Sequence, residues 1–128
     1  MRWRFALICA LLSASAPVAW AGSEGESGEA EFHRHCALCH GLDGTGNGPL
    51  ADAMKAAPTD LTLLAVRNNG EFPSGRVADV IRNGGGVLGH GSTAMLAWGV
   101  YFAERHHPEV AKARIAALVS YIKGLQQK

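Results

Sequence analysis

Cysteine is scarce in this chain. There are three in 128 residues, and Cys9 sits in an apolar N-terminal run, which leaves Cys36 and Cys39 as the only pair. No second C-x-x-C and no H-x-x-x-H follows them, so a four-ligand structural zinc site cannot be assembled from the usual motifs. Charge of one sign is also missing. Twelve basic residues stand against eleven acidic ones, a net +1, which gives no support for nucleic-acid binding. No stretch reads persuasively as a strand and no segment repeats, which removes the βαβ setting of a thioredoxin-like dithiol. The one long hydrophobic run, Phe5 to Ala21, is 17 residues and is diluted by Ser13, Ser15 and Pro17. That length is the lower limit for a membrane span.

The run reads better as an export signal. Arg2 and Arg4 precede it, and Ala19-Trp20-Ala21 has the small-x-small pattern of a cleavage site. Cleavage after Ala21 is therefore expected, with residues 1–21 as signal peptide, retention as a membrane anchor being the alternative. Residues 22–128 then form one domain of 107 residues, with ten basic and eleven acidic groups. Export places the mature chain in a bacterial periplasm, with no membrane span of its own.

Along that domain "GSEGESGE" is a polar lead-in, and a helix is expected from Gly28 or Glu29 to about Cys39. "GLDGTGNGP" is a loop by its glycine content. Short helices are expected over 50–57, closed by Pro58, and over 60–67, with Asp60 as N-cap. Ser74 is a candidate cap for a helix over 75–83, where Val77, Val80 and Ile81 share a face. Residues 83–99 have six glycines and no period, and read as a long loop. Pro108 suits the first turn of a final helix whose stripe runs through Val110, Ile115, Leu118, Val119, Ile122 and Leu125. The expected class is all-α, with helices short enough to need something to pack around.

The chemistry lies in "CALCH". C-x-x-C-H is the signature of c-type haem attachment. Each thiol adds to one haem vinyl group, giving two thioethers, and the next residue on the same turn is carried under the iron. Cys36 and Cys39 are thus the anchors of one covalent haem c and His40 an iron ligand. A disulfide between them would close a tiny loop and add little stability. For the sixth position Met95, 55 residues after His40 in a Gly-rich segment, is favoured over Met54 and over His90. His33, His35, His106 and His107 are expected to face solvent or cap helices.

Together with "MLAWG", these residues make the chain resemble the small bacterial class I c-type cytochromes, from about Gly28 to Leu125. Gly28 and Phe32 precede Cys36 by eight and four residues, and "LVSYIK" is similar to the C-terminal helix of that family. The resemblance implies a cytochrome c-like fold of short helices around one haem, with crossing N- and C-terminal helices. There the glycine allows close approach, and the aromatics Phe32 and Tyr121 lock the crossing. "GNGPL" resembles the family's proline loop, which implies that the Pro49 carbonyl accepts the Nδ1–H of His40. "MLAWG" resembles Met-Pro-x-Trp-Gly, with Leu96 in place of proline. That implies Met95 as distal ligand and Trp98 as a haem-side packing residue.

With both axial positions filled, the implied activity is one-electron transfer between redox proteins, without substrate turnover. Two alternatives use the same residues differently. One is a haem subunit held permanently by a dehydrogenase or oxidase. The other is an enzyme or sensor with an open iron position and His90 as acid–base group. Val87–Leu88 and Val100–Tyr101–Phe102 are a candidate docking patch, with packing onto the haem as their other use.

Overall fold

The structure is a computed structural model that describes residues 27–85, 95–105 and 107–127. The signal segment, His90 and Val87–Leu88 lie outside the described residues, as does His106. Five α-helices are found among the described residues: α1 (Gly28–His35), α2 (Ala37–His40), α3 (Ser74–Asn83), α4 (Trp98–Arg105) and α5 (Pro108–Gly124). None of the described residues lies in a strand.

The first helix starts where Ser27 accepts the amide of Ala30 at 3.2 Å, with Glu29 and Glu31 in the first turn, where the helix dipole favours anions. It does not run unbroken to Cys39. Cys36 interrupts it with φ −112°, and α2 is a separate turn that ends at Gly41, whose φ of 78° suits glycine. The expected helix over 50–57 shrinks to a 3-10 turn, Ala51–Ala53. The one over 60–67 becomes two such turns, Leu61–Leu63 and Val66–Asn68. Asp60 does cap the first of these, accepting the Thr62 amide at 2.9 Å. Ser74 is the first residue of α3 rather than its cap; Pro73 stands at that position.

The expected long loop over 83–99 gives way near its end to α4, which begins at Trp98. Gly99 makes this possible, because a Cβ there would meet the Arg82 backbone oxygen at 2.7 Å, so α3 and α4 approach with no side chain between them. In α5, Pro108 sits in the first turn and Ala111, Ile115, Leu118 and Ile122 are buried, while Val110 at the start of the stripe is exposed.

α1 and α5 cross. A Cβ on Gly28 would drive into the Ala117 carbonyl and reach Tyr121 Cβ at 3.0 Å, so only glycine permits the approach. The rings of Phe32 and Tyr121 lie 5.2 Å apart across the crossing. Phe32, Phe102 and Leu118 are fully buried and form the centre of the core, joined by Cys36, Ala37, Val77, Ile81, Ile115 and Ile122. The attachment turn is therefore part of the core wall. The chain end is tied down by Gln126, whose Nε2 donates to the Leu61 carbonyl at 2.7 Å and whose Oε1 accepts the Ala65 amide at 2.9 Å.

Candidate functional site

Cys36, Cys39 and His40 lie on one turn. The amides of Cys39 and His40 both donate to the Cys36 carbonyl, at 3.1 and 2.9 Å. A helix this short leaves its last carbonyls without partners inside the helix. The glycine loop supplies them: Leu50, Gly48 and Gly46 donate to the carbonyls of Leu38, Cys39 and His40 at 3.0, 3.1 and 2.8 Å. The loop thus lies backbone to backbone beneath the motif. A Cβ on Gly48 would come within 2.5 Å of the Cys39 carbonyl, and Gly46 holds φ 90°.

His40 Nδ1 donates to the Thr59 carbonyl at 2.9 Å. This corrects the expectation for Pro49, which does not accept that bond. Pro49 instead lines an open hollow of about 670 Å³ together with Leu38, Leu42 and Asn47. The chain passes Pro49 while returning to pair with α2, and reaches the imidazole ten residues later, just before the Asp60 cap. With Nδ1 engaged by a carbonyl, Nε2 carries the lone pair. Burial pushes the His40 pKa down, against the opposing pull of the Thr59 carbonyl, and so favours the neutral ring a metal needs.

Cys36 is buried and its pKa is pushed up to about 12, chiefly by desolvation and then by the charges of Glu31 and Cys39. Cys36 and Cys39 form no disulfide.

The end of α3 lies against the backbone of Met95, since a Cβ on Gly84 would meet the Met95 carbonyl at 2.9 Å. The methionine is half-buried against the core cluster that contains Cys36. Met54 closes the 3-10 turn at Ala51–Ala53 instead. Trp98 packs its ring on His35, Tyr101 and Phe102, with centroids 5.0, 5.4 and 5.8 Å away. His35 is the second correction: its side chain is only 10 % exposed, not solvent-facing. His33 and His107 are exposed, and His107 makes no side-chain cap bond. Of the candidate patch on α4, Phe102 is buried and Val100 is exposed.

The cytochrome c family model matches residues 25–126, nearly the whole described chain. The chain belongs to the cytochrome c family. It is a small c-type cytochrome with the all-α fold of that family, and its activity is haem-based electron transfer. Comparison with curated proteins and with solved structures finds no match.

The donor set of this cytochrome fits the haem c that the family binds. Two unpaired cysteines and a neutral imidazole with Nε2 available share one turn, and that turn is braced by the loop below it. Sequence reasoning missed Thr59, Glu31, Arg114 and Gln126. Thr59 acts through its backbone, which no residue type announces. The other three act through partners far away in the chain.

Proposed function

We propose that this chain is a periplasmic electron carrier of the class I kind, exported and cleaved after Ala21. It carries one haem joined by thioethers to Cys36 and Cys39, with iron ligands His40 and Met95. The observation that supports this best is the bond from His40 Nδ1 to the Thr59 carbonyl, which leaves Nε2 for iron on the same turn as both thiols.

The haem supplies a one-electron ferrous/ferric couple. The chain's own residues set its terms. Thr59 holds the imidazole in one tautomer. The loop amides keep the attachment turn rigid, so little rearrangement accompanies electron transfer. The Met95 thioether would favour the ferrous state and raise the potential. With His40 and Met95 both holding the iron, no substrate would reach it, and the protein would turn over none of its own. Trp98 would pack beside the group, and redox proteins would make brief contact, as weak redox encounters do.

The ferric absorption spectrum tests the ligand set. A low-spin spectrum with a near-infrared thioether-to-iron band is expected, lost in Met95→Ala and kept in His90→Ala. A high-spin ferric form at neutral pH, or a band that survives Met95→Ala, would refute it and favour the open-site reading. A stable complex on purification would favour the subunit reading.

A further inference from the structure

Glu31, His35 and Arg114 meet at the α1–α5 contact, with side chains 1 %, 10 % and 13 % exposed. Arg114 holds the Glu31 carboxylate in a two-pronged pair: Nε donates to Oε1, and Nη2 to Oε2 at 2.8 Å. Nη2 also faces His35 Nε2 at 3.2 Å. A guanidinium only donates, so Nε2 must present its lone pair. That geometry suits the ring in its neutral form. A second arrangement is within reach, because Glu31 Oε2 lies 3.5 Å from the same Nε2. A proton on Nε2 would be received there, with Arg114 turned away from the ring. One buried carboxylate thus serves a permanent cation and a conditional one.

Trp98, Tyr101 and Phe102 wall the imidazole at centroid distances of 5.0, 5.6 and 5.5 Å. Glu104 lines the hollow of about 340 Å³ onto which His35 opens, and Arg105 stacks over Tyr101 at 4.7 Å. Among the described residues, the facing ionisable groups are Glu31 on α1, Arg114 on α5, and Tyr101, Glu104 and Arg105 on α4. The hollow, rimmed by exposed Leu96 and Val100, gives solvent a route to the ring.

His35 directly precedes Cys36, the first haem anchor, and lies five residues before His40. We propose that His35 is a proton-uptake site coupled to haem reduction. The inference rests on the electron-carrier reading. One electron from a donor redox protein reduces ferric to ferrous iron, and one proton from solvent binds Nε2 of neutral His35. Oxidation by the acceptor protein returns both. His35 adjoins the residue that would anchor the haem and its side chain is largely buried, so loss of one positive charge at the haem would be poorly screened from it and would ease formation of the imidazolium in the ferrous protein.

The test uses the haem-loaded protein. Its midpoint potential is measured between about pH 5 and about pH 8, the range where histidines titrate. In parallel the His35 ring is followed by proton NMR in both oxidation states. His35→Gln keeps an acceptor for Arg114 but cannot titrate. In the wild type, the ferrous-to-ferric ratio at fixed applied potential should fall as pH rises, by at most about tenfold, or about 59 mV, per pH unit. The slope should vanish in His35→Gln. His35 should titrate at higher pH in the ferrous state. A flat wild-type potential, a slope that survives His35→Gln, or identical His35 titrations in both states would each overturn the proposal. Should the variant not fold, the wild-type NMR comparison decides alone. If the electron-carrier reading itself is wrong, no reversible potential is recorded at any pH. That result also overturns the inference, and it differs visibly from a flat one.

Discussion

Replacing Arg114 by methionine should be among the most damaging changes outside the attachment motif. Glu31 is 1 % exposed and Arg114 is its two-pronged partner. The guanidinium also lies over the Phe102 ring at 3.9 Å and bonds His35. Methionine keeps much of the apolar bulk but leaves a carboxylate buried without a cation. Breaking such a pair from one side costs about 3–5 kcal/mol. For a domain near 100 residues, each kcal/mol lowers Tm by about 4–8 °C, so a fall of at least about 12 °C is expected. Guanidinium denaturation of the haem-loaded protein, followed by far-ultraviolet circular dichroism, gives the free energy directly. The double variant Glu31→Gln/Arg114→Met removes both charges and should recover part of the loss, with a coupling of about 0.5–3 kcal/mol. A loss below about 1 kcal/mol, which is the size of an exposed pair, or a double variant worse than the sum of the singles, would refute the reasoning.

Gly28→Ala should destabilise by about 1–3 kcal/mol of overpacking, because its Cβ meets the Ala117 carbonyl; helix propensity alone predicts a gain of up to about 1 kcal/mol, so the sign of the change in a denaturation experiment decides. Gly48→Ala pushes the loop off the Cys39 carbonyl and should alter the ferric absorption spectrum, whereas Thr59→Val, which keeps the backbone acceptor, should leave that spectrum as it is. Before haem is attached, the lowered His40 pKa gives stability that is complete above the unfolded value near 6.5 and is lost as pH falls through the folded value, so Tm of the haem-free chain should drop from pH 7.5 towards pH 5.

The attachment turn was legible because its geometry is local: two thiols and an imidazole within five residues define it. α5 was legible because its stripe is long enough to average out single exceptions such as exposed Val110. The α1–α5 crossing came from Gly28, Phe32 and Tyr121, and the structure bears it out. α4 was not legible. Its first two residues, Trp98 and Gly99, end a glycine-rich stretch, and the glycine that reads as loop is there for close approach to α3. His35 was misplaced by the general rule that polar residues face water. That rule fails where a partner 79 residues away, Arg114, takes the polar atom. Pro49 was misassigned because chain proximity suggested it, while the actual acceptor is a main-chain oxygen whose side chain is irrelevant.

Main-chain groups carry most of the positioning at this site. Three loop amides satisfy the carbonyls of Leu38, Cys39 and His40, and one carbonyl orients the imidazole. None of the four depends on which side chain its residue bears. What they require is loop length and bare Cα atoms: Gly41, Gly44 and Gly46 at positive φ, and Gly48 where no Cβ fits. Leu61 donates to the Gly44 carbonyl at 2.8 Å, and Gln126 ties Leu61 to the chain end. The loop is thereby fastened to the same α5 that crosses α1. A load on that crossing, whether a methyl group at Gly28 or a charge change at His35, reaches the attachment turn from above through α1 and from below through the loop. Cys36 and Cys39 therefore sit between two supports that share one helix, so substitutions far from Cys36 in sequence should disturb the turn that carries both thiols.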